Sequence, residues 1–226
     1  MVTYLSGNRI QGSSAPLGNI SKANLKVYFT LDEASGDLLN TASAIGSTHA
    51  ISNFNLSVTG ATQNVTGKVN KGVSFTSNNI ATADDSNEAD TSFFSATGAV
   101  WTICLWVNLD SSVGDQAFIS TTDWGSSDAG LLLRTADSSG HINMILGASN
   151  DDRIEATSSS AAIPNTGNWH FAMMQYDNST GNVKMSVNNG SVETVTKAAG
   201  STLSNTDTPS DKLVIGNQVG GGNILN

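Results

Sequence analysis

The side chains able to do acid–base or nucleophilic chemistry are few: three histidines, one cysteine, four glutamates and fifteen aspartates. Cys104 lies inside an apolar run, which marks it as a small core residue rather than a nucleophile. His170 follows Trp169 at the start of an apolar run and is expected to serve as a structural hydrogen-bonder; His49 lies in a loop with no visible partner. No G-x-S-x-G nucleophile elbow occurs among the many serines. The acidic loops are the remaining source of chemistry. Asp84-Asp85 and Asp151-Asp152 set like charges side by side, and such pairs repel unless they are hydrated or neutralised. A hard cation such as Ca²⁺, which wants six to eight oxygens, would neutralise them, although no Asp-x-Asp-x-Asp-Gly loop is present. For a sugar, the needed chemistry is an exposed ring flanked by polar groups. Trp124, with Asp123 and Asp128 beside it, is the tryptophan lying in an evident loop, whereas Trp101, Trp106 and Trp169 lie in or beside apolar runs and are expected in the core.

Composition bounds what these residues can belong to. The chain has 226 residues and a formal net charge of −9, and Ser, Thr, Asn and Gly supply 100 of its positions. This length suits one sandwich domain, large enough to fold without disulfide or structural metal. A single cysteine excludes an internal disulfide and a cysteine-based zinc cluster. Ten basic residues scattered among nineteen acidic ones form no patch for a phosphate backbone, so nucleic acid is not an expected partner. No apolar run approaches the roughly 18 residues of a membrane helix. The opening MVTYLSGNRIQG lacks the basic and apolar parts of a secretory leader, so the five Asn-X-Ser/Thr triplets are read as products of composition rather than glycan sites.

The elements that must carry these residues are strands. Residues 1–23 read as an arm or linker and 24–226 as one domain, in which short apolar runs are cut by polar, Gly-rich turns about every ten residues. Val183, Met185 and Val187 alternate with Lys184, Ser186 and Asn188, and Ile142, Met144 and Leu146 repeat the pattern. Trp101–Val107 is apolar at both parities, as for a central strand covered on both sides, and Phe171–Tyr176 is similar. Asp177–Gly181 reads as a hairpin loop ending in glycine, and Asn188-Asn189-Gly190 supplies an Asn-Gly pair for a type I′ turn. No convincing helix is visible; the best candidate, Glu88–Ser95, reads as a loop with one helical turn.

The order of these segments resembles the laminin-G-like, concanavalin-A-like jelly-roll domains, in a subtype found in bacterial and phage proteins. The pieces carrying the resemblance are LKVYFTLDEASGD (25–37) as the opening strand, GKVNKGVSF (67–75), NNIATADD (78–85), VWTICLWVNLD (100–110), GNWHFAMMQYDNSTGNVKMSVNNGSV (167–192) and LVIGN (213–217). It implies an all-β fold: two antiparallel sheets stacked in a jelly-roll sandwich with variable loops along one rim, often holding Ca²⁺. Members usually continue into a final Asp-Glu-Val-x-x-Trp strand, whereas this sequence ends after Gly220–Asn226. An edge left open would invite strand donation or a homo-oligomer.

Relatives of this fold include enzymes. Retaining glucanases show Glu-x-Asp-x-x-Glu on one strand, with two carboxylates about 5–5.5 Å apart, and none of the four glutamates here has that spacing. Lyases need an Arg, a His and a Tyr converging on one sheet; Arg134, His141 and Tyr176 exist, but their surroundings do not match the lyase strands. The expectation is therefore a protein that is not an enzyme. YLSGNRIQG (4–12) also resembles the start of virion-associated proteins of marine tailed phages. Two readings follow. The first is a virion structural protein of capsid-decoration or fibre type, joined to other virion proteins by its N-terminal arm and displaying a lectin-like jelly roll toward surface glycans. The second is a carbohydrate-binding module of a bacterial surface or secreted protein.

Overall fold

The computed structural model describes residues 24–52, 54–76, 80–83, 98–110, 113–121, 130–149, 152–196 and 213–216. Alternation sets the strands. The apolar parity of residues 183–187 becomes β11 (Asn182–Val187), in which Val183 and Met185 are fully buried while Lys184 stays half-exposed. The other described strands are β1 (Leu56–Thr59), β2 (Thr62–Thr66), β3 (Lys71–Ser74), β4 (Ile80–Ala83), β5 (Val100–Asn108), β6 (Ala117–Ser120), β7 (Gly130–Thr135), β8 (His141–Ser149), β9 (Asp152–Ala162), β10 (Trp169–Asp177), β12 (Glu193–Thr196) and β13 (Val214–Ile215).

These strands form two large antiparallel sheets: seven strands in the order β1-β4-β13-β6-β7-β8-β9, and four in the order β12-β11-β10-β5. A separate two-stranded ribbon is made by β2 and β3. The core lies between the large sheets, where Leu131, Leu133, Met144 and Leu146 of one meet Ala172, Met174, Tyr176 and Met185 of the other. This is the all-β, two-sheet sandwich the sequence pattern implies.

The turns behave as their residues dictate. Asn188 and Asn189 both take positive φ (52° and 61°), and the Gly190 amide donates to the Val187 carbonyl at 2.9 Å. The type I′ turn is therefore built on the Asn-Asn pair, with the glycine one position later than the motif suggests. Asp177 accepts from the Ser179 amide (2.9 Å) and hydroxyl (2.6 Å), and Gly181 closes the loop at φ 68° by donating to the Asp177 carbonyl.

Two expectations change. The 25–37 segment forms no continuous strand; Phe29 and Leu38 make single bridges to Asn40 and Leu56, and Leu31 turns the chain at φ 60°. Among the described residues β5 is an edge strand rather than a central one. Its second apolar parity has a different cause: Trp106, on the face away from the core, packs on Phe171 of β10 with ring centroids 5.2 Å apart.

Candidate functional site

The hairpin of β7 and β8 presents one face to the core through Leu131, Leu133, Ile142 and Met144. Successive strand residues alternate sides, so Leu132, Arg134, His141, Asn143 and Ile145 stand on the outer face of the seven-stranded sheet. The connecting turn sets the register: Ala136 N–H donates to the His141 carbonyl, Gly140 N–H donates to the Asp137 carbonyl, and Arg134 is thereby placed opposite Asn143. Pairing with β9 sets Thr157 opposite Asn143 and Glu155 opposite Ile145.

The result is a continuous polar row across three strands. Arg134 Nε donates to Asn143 Oδ1 at 3.1 Å; Asn143 Nδ2 donates to Thr157 Oγ1 at 2.8 Å and to Glu155 Oε1 at 3.4 Å. At the far end the Arg134 guanidinium lies 3.6 Å from Asp115 Oδ1. Asn143 is the hub, 1% exposed, with both ends of its amide engaged. Beside it Ala117, Leu132 and Ile145 form a small buried apolar cluster. His141 adds a further polar group on the same face, its Nδ1 2.7 Å from Asp137 Oδ2. That hydrogen bond is the main reason the Asp137 carboxyl titrates below its ordinary range. The His141 and Ser139 amides add to the effect, and partial desolvation works against it. A row of donors and acceptors held at fixed separations by a sheet is suited to a ligand carrying several hydroxyls.

The residues expected from sequence fall elsewhere. Trp124, Asp123 and Asp128, as well as Asp84, Asp85 and Asp151, lie outside the described residues; Asp152 opens β9 but its side chain is likewise not described. Among the described residues no three His, Cys, Asp or Glu side chains come together as a metal site. The calcium expectation thus rests wholly on undescribed side chains, as does the arm at residues 1–23. Of the three residues weighed for lyase chemistry, Arg134 and His141 share the outer face. Tyr176 is fully buried in the other sheet, beside Trp101, with its hydroxyl donating to Asn178 Oδ1 at 3.0 Å. The trio does not converge. His170 is 5% exposed; its Nδ1 accepts from Asn188 Nδ2 at 2.8 Å, which leaves the proton on Nε2 to face Asn165 at 3.2 Å. Asn143, Glu155 and Thr157 were not singled out, although a signal existed. Alternation around Ile142, Met144 and Leu146 puts Asn143 on the face away from the core, and a short turn at 136–141 pairs it with Arg134. Trp106 and Trp169 are half-buried on the outer face of the four-stranded sheet rather than in the core.

Residues 76–226, more than half of the chain, match the family described as concanavalin A-like lectin/glucanases superfamily. A search of curated proteins finds no match. Among solved structures the chain is similar to the CBM40 of Ruminococcus gnavus IT-sialidase bound to α2,3-sialyllactose, at 17% identity and a TM-score of 0.48, over 64% of this chain and 77% of that one. It is also similar to domains LG4-5 of the mouse laminin α1 chain (16%, TM-score 0.38, 53% and 28%). A third likeness is to a SAP-like pentraxin from Limulus polyphemus (16%, TM-score 0.36, 56% of each chain).

Proposed function

The chain belongs to the concanavalin A-like lectin/glucanase superfamily, and from that premise we propose that it is a non-catalytic glycan-binding module whose sugar lies on the outer face of the seven-stranded sheet. The observation that carries this reading is the Asp115–Arg134–Asn143–Thr157/Glu155 row. Sugars are recognised by ring hydroxyls that both donate and accept, and the row alternates guanidinium donors with amide, hydroxyl and carboxylate acceptors. The hub is saturated by its own neighbours, so it orients Arg134, Thr157 and Glu155 rather than shuttling a proton. Family membership and this row together support the binding-module reading, and nothing in the row calls for a virion role.

The test is a glycan array with the full chain, followed by calorimetry on the best glycan for wild type, Thr157→Val and Glu155→Gln. Both positions are exposed, so folding is expected to survive. Wild type is expected to bind one glycan class, with each variant at least tenfold weaker. Glu155→Gln is expected to melt as wild type does, whereas Thr157→Val, which takes the 2.8 Å acceptor from the buried Asn143 amide, is expected to stay folded but melt a few degrees lower. A blank array for wild type, or variants that bind as wild type does, would overturn the proposal.

A further inference from the structure

A separate concavity lies under the β2–β3 ribbon. The β2–β3 ribbon is not hydrogen-bonded into either large sheet. It is tied down by Asn70 Nδ2 donating to Asp32 Oδ2 at 2.8 Å and by Gln63 Nε2 donating to the Gly36 carbonyl at 3.0 Å. Beneath it lies a mainly apolar pocket of about 90 Å³ with walls that include Phe29, Phe75, Phe118, Trp106 and Trp169. Leu31 closes one wall from a left-handed backbone conformation (φ 60°) that a branched side chain rarely takes. Trp106 and Trp169 are half-buried, so the rings that line the pocket also meet solvent.

A lysine lies beside this pocket, and the ribbon's tie to Asp32 brings a carboxylate near the same turn. Lys68, in the ribbon's turn, holds its Nζ 5.3 Å from the centre of the Trp106 ring. It is exposed, and among the described residues no carboxylate pairs with it. In a chain of net charge −9, an unpaired cation set on a pocket-lining ring is the feature that selects an occupant. We infer that this pocket binds a small hydrophobic carboxylate, with its aryl or branched-alkyl group among the aromatic walls and its anionic end toward Lys68. The volume is smaller than the roughly 150 Å³ cavity known to admit a whole benzene ring. Part of a ring therefore enters, and the rest lies against Trp106 and Trp169. The pocket draws on both large sheets, with Trp106 and Trp169 from the four-stranded one and Phe118, Ile119 and Ile215 from the seven-stranded one, but it shares no residue with the polar row.

Tryptophan fluorescence titration of the full chain with phenylacetate, 2-phenylethanol and acetate tests this inference. Phenylacetate is expected to give a saturable change at concentrations at least fivefold lower than phenylethanol, and acetate to give none. Lys68→Gln, an exposed substitution, is expected to bring phenylacetate down to the level of the alcohol while leaving the alcohol's own response and the melting temperature unchanged. Val73→Phe, which fills the pocket from β3, is expected to abolish both responses. An acid and an alcohol that titrate alike in wild type, no saturable change with either, or a Lys68→Gln protein that still prefers the acid would overturn the inference.

Discussion

Glu193 offers the sharpest test of how the two sheets are held together. It lies on β12, at the edge of the four-stranded sheet, and its carboxylate reaches across to β9 of the other sheet. There it accepts from the Ser159 amide at 2.7 Å, the Ser160 amide at 2.9 Å and the Ser160 hydroxyl at 2.9 Å. Partial burial by itself would raise the carboxyl pKa, but the combined hydrogen bonds from Ser159 and Ser160 overcome that and lower it to about 2. A carboxyl whose folded pKa is depressed contributes stability above its unfolded pKa, near 4.5 here, and loses it as pH falls toward 2. Full linkage would give about 3 kcal/mol. Because the group is only half-buried, solvent screening brings the expected contribution down to about 1 kcal/mol. In Glu193→Gln one acceptor becomes an NH₂ facing either the Ser159 amide or the Ser160 amide and hydroxyl, so the contribution is lost. The expected deficit in melting temperature is roughly 3 °C at pH 7 for a domain of this size. Melts followed by circular dichroism from pH 7 to pH 2 check this. The gap between wild type and variant is expected to hold down to about pH 5 and to close toward pH 2, as wild type too becomes protonated. A gap of equal size at pH 7 and pH 2 would assign Glu193 a packing role and refute the electrostatic argument.

Two other outcomes follow from the same geometry. Gly140 sits at φ 75° in the turn that sets Arg134 against Asn143, and a Cβ there would come 2.3 Å from the Ile163 carbonyl oxygen. Gly140→Ala is expected to cost about 2 kcal/mol in urea denaturation and to weaken glycan binding; an unchanged midpoint would show that the turn relaxes. Cys104 is 3% exposed, and burial pushes its thiol up to about 11. Iodoacetamide at pH 8 is therefore expected to label native protein at least a hundredfold more slowly than urea-unfolded protein. Equal rates in a mass-spectrometric time course would contradict that burial.

Much of the fold was legible because strand burial is written locally. A two-residue period in Val183-Lys184-Met185 or Ile142-Asn143-Met144 specifies extended backbone and the face turned inward, whatever lies elsewhere in the chain. Turns are equally local: Asn188 and Asn189 tolerate positive φ through their own side chains, and Asp177 closes its loop on Ser179 two residues away. Hairpin register follows from such turns, so the facing of Arg134 and Asn143 was implicit in the 136–141 spacing. The sequence alone thus determined the all-β class, the inward faces, and Cys104 as an apolar position.

Only the tertiary structure decided which strands became neighbours across long stretches of chain. Val214–Ile215 inserts between β4 and β6, and Glu193 finds its partners thirty-three and thirty-four residues away. Neither leaves a periodic trace. The same holds for the outward tryptophans. Trp106 and Trp169 read as core because they sit in apolar runs, yet they line a pocket under a ribbon formed by residues 62–74. The physical reason is that alternation records whether a side chain leaves water. It does not record which distant surface takes the water's place; that is fixed by how whole sheets and ribbons pack, a property of the assembled chain rather than of any window along it.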